Sequence, residues 1–182
     1  MKKLPLVAIA LLLTTQPVFA GSDYKILNQG NLNACTEYAV TTCIDVMGEP
    51  TDIDQKRAYY DLNDDNYQDI AETLDYYVSK GAIESYTKIT MAEIDAYLET
   101  GTPVIFCSWV DSENWADGEI TVPELDFYGT HVTVLIGKED GVYTGVNSWG
   151  AEWGNGGLYR LYDLNIMGSA YVIELNQTEI YR

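Results

Sequence analysis

One histidine and three cysteines are the side chains of this 182-residue sequence best suited to nucleophilic chemistry. Cys35 opens the stretch "CTEYAVTTCIDVM", Cys35 to Met47, whose apolar residues recur at helical spacing until Gly48-Glu49-Pro50 stops them. A cysteine in the first turn of a helix feels the positive end of the backbone dipole and nearby free N–H groups, which favour its thiolate. Paired with an imidazolium, such a thiolate is an activated nucleophile for acyl transfer. Gln29 lies shortly before Cys35, and Gly30 permits a turn between them. Its side-chain amide can therefore fold back toward the sulfur and donate to a developing oxyanion beside the Cys35 N–H. His131 begins one strand-like run and Asn147 ends another. An Asn amide so placed can hold the tautomer of the imidazole, as the third member of a triad does.

The elements that must position these residues divide the chain into two halves. After the Cys35–Met47 helix, further helices are expected around Ile53–Leu62 and over Tyr67–Lys80, the latter ended by Gly81. From Pro103 onward the runs "PVIFCSWV", "HVTVLIG", "GVYTGVNSW", "GLYRLYD" and "AYVIEL" are short, β-branched and aromatic, with Gly, Asp and Asn between them. Glu139-Asp140-Gly141 reads as a hairpin turn. The fold class expected is α+β, with the site between a helical N-terminal half and a strand-rich C-terminal half.

Composition narrows the setting. The formal charge of −18 repels nucleic acid and anionic lipid, so neither is an expected partner; it allows attraction to Lys- or Arg-containing peptides. Lys2 and Lys3, the apolar run Leu4–Leu13 and Val18-Phe19-Ala20 have the form of a secretory signal peptide over residues 1–20. The mature domain is then expected at residues 21–182, secreted or periplasmic, with no membrane span after cleavage. A single histidine and no Cys-x-x-Cys pair argue against zinc.

Several segments together resemble the papain family of cysteine peptidases: Gln29-Gly30 with Cys35 after it, His131-Val132, and above all "NSWGAEWGNGG" from Asn147 to Gly157. The resemblance covers most of residues 21–182 and implies a two-lobed papain-like fold with the active site between the lobes. It implies Cys35 as nucleophile, His131 as its ion-pair partner and general acid, Asn147 as the residue that orients His131, and Gln29 in the oxyanion hole. Trp149 would cover the Asn–His hydrogen bond. The implied reaction is peptide-bond hydrolysis through an acyl-enzyme, on a peptide or protein substrate, with no cofactor required.

The sequence also departs from the family's pattern. Leu32 replaces a half-cystine, Asn33 a glycine, and Thr36 the tryptophan that usually follows the nucleophile, while Glu37 adds a negative charge beside it. Asn33 tolerates the positive φ that the glycine would supply. The Cys35–His131 and Cys35–Asn147 separations fall short of the roughly 130–150 residues of papain-like enzymes, so loops are trimmed. Few residues separate the expected cleavage site from Gln29, where the family usually has an inhibitory prosegment; a separate inhibitor protein is one way to restrain such an enzyme. Two other functions stay open: an inactive papain-like peptide-binding protein, and a thiol amidase or transferase acting on a non-protein amide such as peptidoglycan.

Two smaller signals remain. Cys43 and Cys107 either form a disulfide, which suits an exported protein, or pack as two separate buried thiols. "DLNDDNYQDIAE", Asp61 to Glu72, places Asp61, Asn63, Asp65, Asp69 and Glu72 at calcium-loop spacing, though Asn66 replaces the customary Gly; a solvated acidic loop is the default reading and calcium the alternative.

Overall fold

The computed structural model describes residues 24–49, 51–62, 69–110, 115–121 and 129–176. The segment read as a signal peptide lies outside these, as does the centre of the acidic loop. Among the described residues no helix is long and apolar enough to cross a membrane.

Helices α1 (Cys35–Val46), α2 (Gln55–Leu62) and α3 (Ile70–Ser79) come first. They are followed by β1 (Ser85–Ile89), α4 (Ile94–Glu99), β2 (Val104–Val110), β3 (Glu119–Ile120), β4 (Gly129–Glu139), β5 (Val142–Val146), β6 (Leu158–Leu161) and β7 (Met167–Glu174). Among the described residues the strands form one seven-stranded sheet in the order β1-β7-β2-β4-β5-β6-β3. Every pairing is antiparallel except β3 with β6. The fold is α+β, as expected.

Helix α1 is nearly all buried, yet it is rich in β-branched residues such as Val40, Thr41, Thr42, Ile44 and Val46. Those residues are mediocre helix formers, so packing rather than propensity holds the helix. Gly48 beyond its end adopts a φ of 86°, which terminates the helix there. Asp69 caps α3 by accepting the Ala71 N–H at 2.8 Å. The β4–β5 turn falls at Asp140-Gly141, the site of the expected hairpin.

Two cores lie on opposite faces of the central strands. One gathers α1, α2 and α3 against Ile105, Val132, Val134, Ile136 and Tyr171. The other gathers α4 and the tip of β3 against Val104, Phe106, Leu135, Tyr159 and Ala170. Successive residues of β2 and β4 thus enter different cores, which is why both strands read as continuous apolar runs. The two-lobed expectation holds with one refinement: β2 and β4 belong to both lobes.

Three elements were not anticipated from the sequence. Strand β1 pairs with the distant β7, and the two-residue β3 is too short to carry a period. Helix α4 had a legible signal: Thr90 and Glu93 form a capping box at the 3-10 turn that leads into it.

Candidate active site

Cys35 is the first residue of α1, and Ala34 before it provides no side-chain cap. Cys35 is partly exposed as a residue, and the backbone N–H of Val132, the residue after His131, lies close enough to its thiol to favour the charged form. Val132 stands on β4 just before that strand's pairing with β5 begins at Val134, so its N–H is left for the thiol. This contact brings the start of the helix to the strand that bears the histidine.

His131 itself is 5% exposed, and its Nε2 lies 2.8 Å from Asn147 Oδ1. The same Oδ1 accepts the Ser148 backbone N–H at 2.7 Å, which fixes the amide orientation because only its oxygen can accept. Nε2 therefore carries the proton, and Nδ1 is the nitrogen of the neutral ring that can take another. Trp149 stacks on the imidazole at 4.7 Å between centroids, 27° from parallel, and Trp115 meets it edge-on at 5.7 Å. Trp153 anchors Trp115 by donating Nε1–H to its carbonyl at 3.0 Å.

Gln29 is stitched to the same segment. Its N–H donates to the Ser148 carbonyl at 2.8 Å, and its Oε1 accepts the Ser148 hydroxyl at 2.6 Å. Its Nε2 donates to the Leu32 carbonyl at 2.8 Å, so the amide's donor end faces the turn that leads into α1. Asn28 and Trp149 form an isolated β-bridge, and Gly150 N–H donates to the Leu27 carbonyl at 3.0 Å. Gly150 is required there: its φ is 87°, and a Cβ would stand 2.7 Å from Asn28 Nδ2.

Electrostatics set the resting protonation. Burial pushes the Cys35 thiol up to about 11, against the lowering effect of the Val132 N–H, and the Glu37 carboxyl adds to the rise. Burial pulls His131 down to about 4, against a smaller raising effect from the Asn147 hydrogen bond. The depressed thiol expected from the helix N-terminus is thus overridden by desolvation. A thiolate and an imidazolium formed together attract, so moving one proton between them costs less than the two penalties combined.

Four side chains chosen for chemistry are thus placed as follows: His131 and Asn147 are hydrogen-bonded, Gln29 is tied to them through Ser148, and Cys35 reaches the backbone of the next residue on β4. Sequence reasoning missed Ser148 as the link, although it lies within the quoted motif. It also missed Trp115, which reaches His131 from a separate segment with no local signal. Glu37 is 0% exposed, with Thr36 donating to its carboxylate at 3.0 Å and Tyr77 to its carbonyl at 3.1 Å.

Cys35, Cys43 and Cys107 are all free thiols, so of the two readings for Cys43 and Cys107 the separate-thiol one holds. Among the described residues no group of three or more His, Cys, Asp and Glu gathers as a metal site. Of the proposed calcium ligands, Asn63 and Asp65 lie outside the described residues. Asp61 pairs with Arg57 at 2.7 Å, and Asp69 caps α3.

No family profile matches the chain, and no characterised sequence relative does. Solved structures do. Xylellain, a cysteine protease from Xylella fastidiosa, superposes with a TM-score of 0.72 at 15% identity, over 85% of this chain and 84% of that one. The bromelain protease from Ananas comosus, solved with the E64 inhibitor, gives 0.65 at 13% identity, over 84% and 94%. The digestive procathepsin L2 proteinase from the Tenebrio molitor larval midgut gives 0.65 at 16% identity, over 82% of this chain and 64% of that one. The chain has the fold of papain-like cysteine proteases.

Proposed function

We propose that this protein is an exported thiol hydrolase that cleaves peptide bonds by a Cys-His-Asn mechanism. The observation that carries the reading is the His131 Nε2–Asn147 Oδ1 hydrogen bond under Trp149, which reserves Nδ1 as a base on the strand that meets the start of α1. Cys35 Sγ gives its proton to His131 Nδ1 as it attacks the substrate carbonyl carbon. The oxyanion forms where the Gln29 amide and the Cys35 N–H can donate to it. Collapse breaks the C–N bond, and His131 Nδ1–H protonates the leaving amine. Water then attacks the thioester carbonyl as it gives a proton to the same nitrogen, the C–S bond breaks to release the acid, and the Cys35 sulfur takes that proton back from Nδ1. Because burial opposes both lone charges, proton transfer accompanies attack instead of preceding it.

The raised Cys35 thiol and the buried Glu37 beside it favour a second reading, a papain-shaped protein that binds peptides without cutting them. One experiment separates the two. The chain is incubated with a fluorogenic peptide mixture, and new amino termini are counted for wild type, Cys35→Ala and His131→Ala. The hydrolase reading expects turnover that falls by about 10³-fold or more in both variants. Peptide binding with no new termini in wild type establishes the binding protein.

A further inference from the structure

Among the described residues, two buried side-chain polar atoms have no hydrogen-bond partner: Ser108 Oγ and Asn147 Nδ2. Orphaned buried polar atoms oppose folding, and native structures keep few of them. Here both belong to residues that adjoin His131. Asn147 is its hydrogen-bond partner, and Ser108 on β2 is its direct cross-strand neighbour. Antiparallel neighbours leave the same face of a sheet with Cβ atoms about 4.5–5.5 Å apart, so the Ser108 side chain starts out beside that of His131. It comes from β2, while Trp149 follows β5, on the other flank of β4. The β2–β7 register also slips between Cys107 and Ser108, a bulge of the kind that re-aims a side chain beside a functional site.

An apolar residue would suit this slot better on packing grounds alone. Ser108 is 0% exposed, and Phe106, the preceding residue on its face, sits in the apolar core. We propose that Ser108 is a positioning residue for His131, whose hydroxyl dipole turns its oxygen toward the face of β4 that carries the ring when Nδ1 receives the Cys35 proton, acting on the imidazolium through space while Asn147 keeps Nε2–H. It would then support the imidazolium inside walls of tryptophan that offer little other polarity. From α1 the titratable groups on this side are Cys35, beside the Val132 backbone, and Glu37, which acts on Cys35. Beyond Trp115 lies Tyr159, whose hydroxyl is engaged by Thr133 at 2.7 Å. Cys107 occupies the opposite face of β2 from Ser108, and the 147–149 segment presents Asn147, Ser148 and Trp149, none of which titrates.

This inference rests on the hydrolase reading for its function but not for its first readout. The chain has a single histidine, so an untagged sample gives one imidazole Cε1–H resonance that needs no assignment. Its titration midpoint, the alkylation rate of Cys35 at pH 7 and the unfolding midpoint are measured for wild type, Ser108→Ala and Ser108→Thr. The alanine variant is expected to be at least as stable as wild type, to titrate lower, and to alkylate about ten-fold more slowly, the scale of a one-unit change in proton affinity. Threonine, which keeps the hydroxyl, is expected to restore both values. Ser108→Cys, a similar shape with a weak acceptor, repeats the test if the alanine variant does not fold. An unchanged resonance midpoint in a folded Ala or Cys variant overturns the proposal. A midpoint that moves in a protein whose Cys35 ignores His131→Ala supports the Ser108 contact and sinks the hydrolase reading instead.

Discussion

The two walls of the candidate site are built differently. On the strand side, His131 is enclosed by Trp149 and Trp115, apolar rings that desolvate it and that Trp153 backs in turn, with Asn147 hydrogen-bonded to its side chain. On the helix side, Cys35 sits at the edge of a buried polar network in which Thr36, Glu37, Thr73, Tyr77 and Thr41 bond one another between α1 and α3. The strand wall therefore governs the base through desolvation, and the helix wall acts on the nucleophile through a nearby charge as well. Desolvation is the larger effect on both groups, because a buried charge loses its hydration whichever neighbours it has.

The contrast can be broken first at His131. Its midpoint of about 4 lies below the unfolded value of about 6.5, so between those pH values the unfolded chain binds more protons and folding stability falls as pH falls. The difference is worth about 3 kcal/mol once pH is below both values and nothing above about pH 6.5. Urea unfolding at pH 7 and pH 4 is expected to show that loss in wild type beyond the loss in His131→Gln. Equal losses in the two proteins would show that the imidazole is hydrated.

A smaller effect is expected at Trp149. Trp149→Ala opens the ring to water, so the single imidazole resonance is expected to titrate higher, toward the ordinary value. Turnover is expected to fall about ten-fold as the His131–Asn147 hydrogen bond becomes exposed, a scale set by the loss of about 1.4 kcal/mol of positioning. Faster turnover would mean that desolvation hinders the base more than it helps.

The smallest effect sharpens the helix side. Glu37→Gln keeps the hydrogen-bonding shape and removes a charge, so the pH profile of Cys35 alkylation is expected to move toward lower pH. The shift should be smaller than that caused by burial, which heads the causes at Cys35. A profile that stays in place would show that the Glu37 carboxyl is neutral within the fold.

Much of this architecture was legible beforehand. Apolar spacing and the Gly48 stop located α1, and short β-branched and aromatic runs between Gly, Asp and Asn located β2, β4, β5, β6 and β7, because those signals are local. Strand β1 was not legible, since it is made by pairing with a segment far away in sequence. Gln29, Cys35, His131 and Asn147 could be chosen by type and order, and the "NSWG" segment announced its own turn through Gly150.

What the sequence by itself determined was which side chains could do chemistry and in which local conformations they start: a cysteine at a helix opening, a histidine on a strand, an asparagine at a strand end. What only the tertiary structure decided was their surroundings. Ser148 ties Gln29 to Asn147, Trp115 closes over His131, and the β2–β4 register sets Ser108 opposite the imidazole. Hydration, and with it the proton affinity of Cys35 and His131, depends on everything packed within a few ångströms. Those neighbours come from residues remote in the chain, so no local pattern carries them.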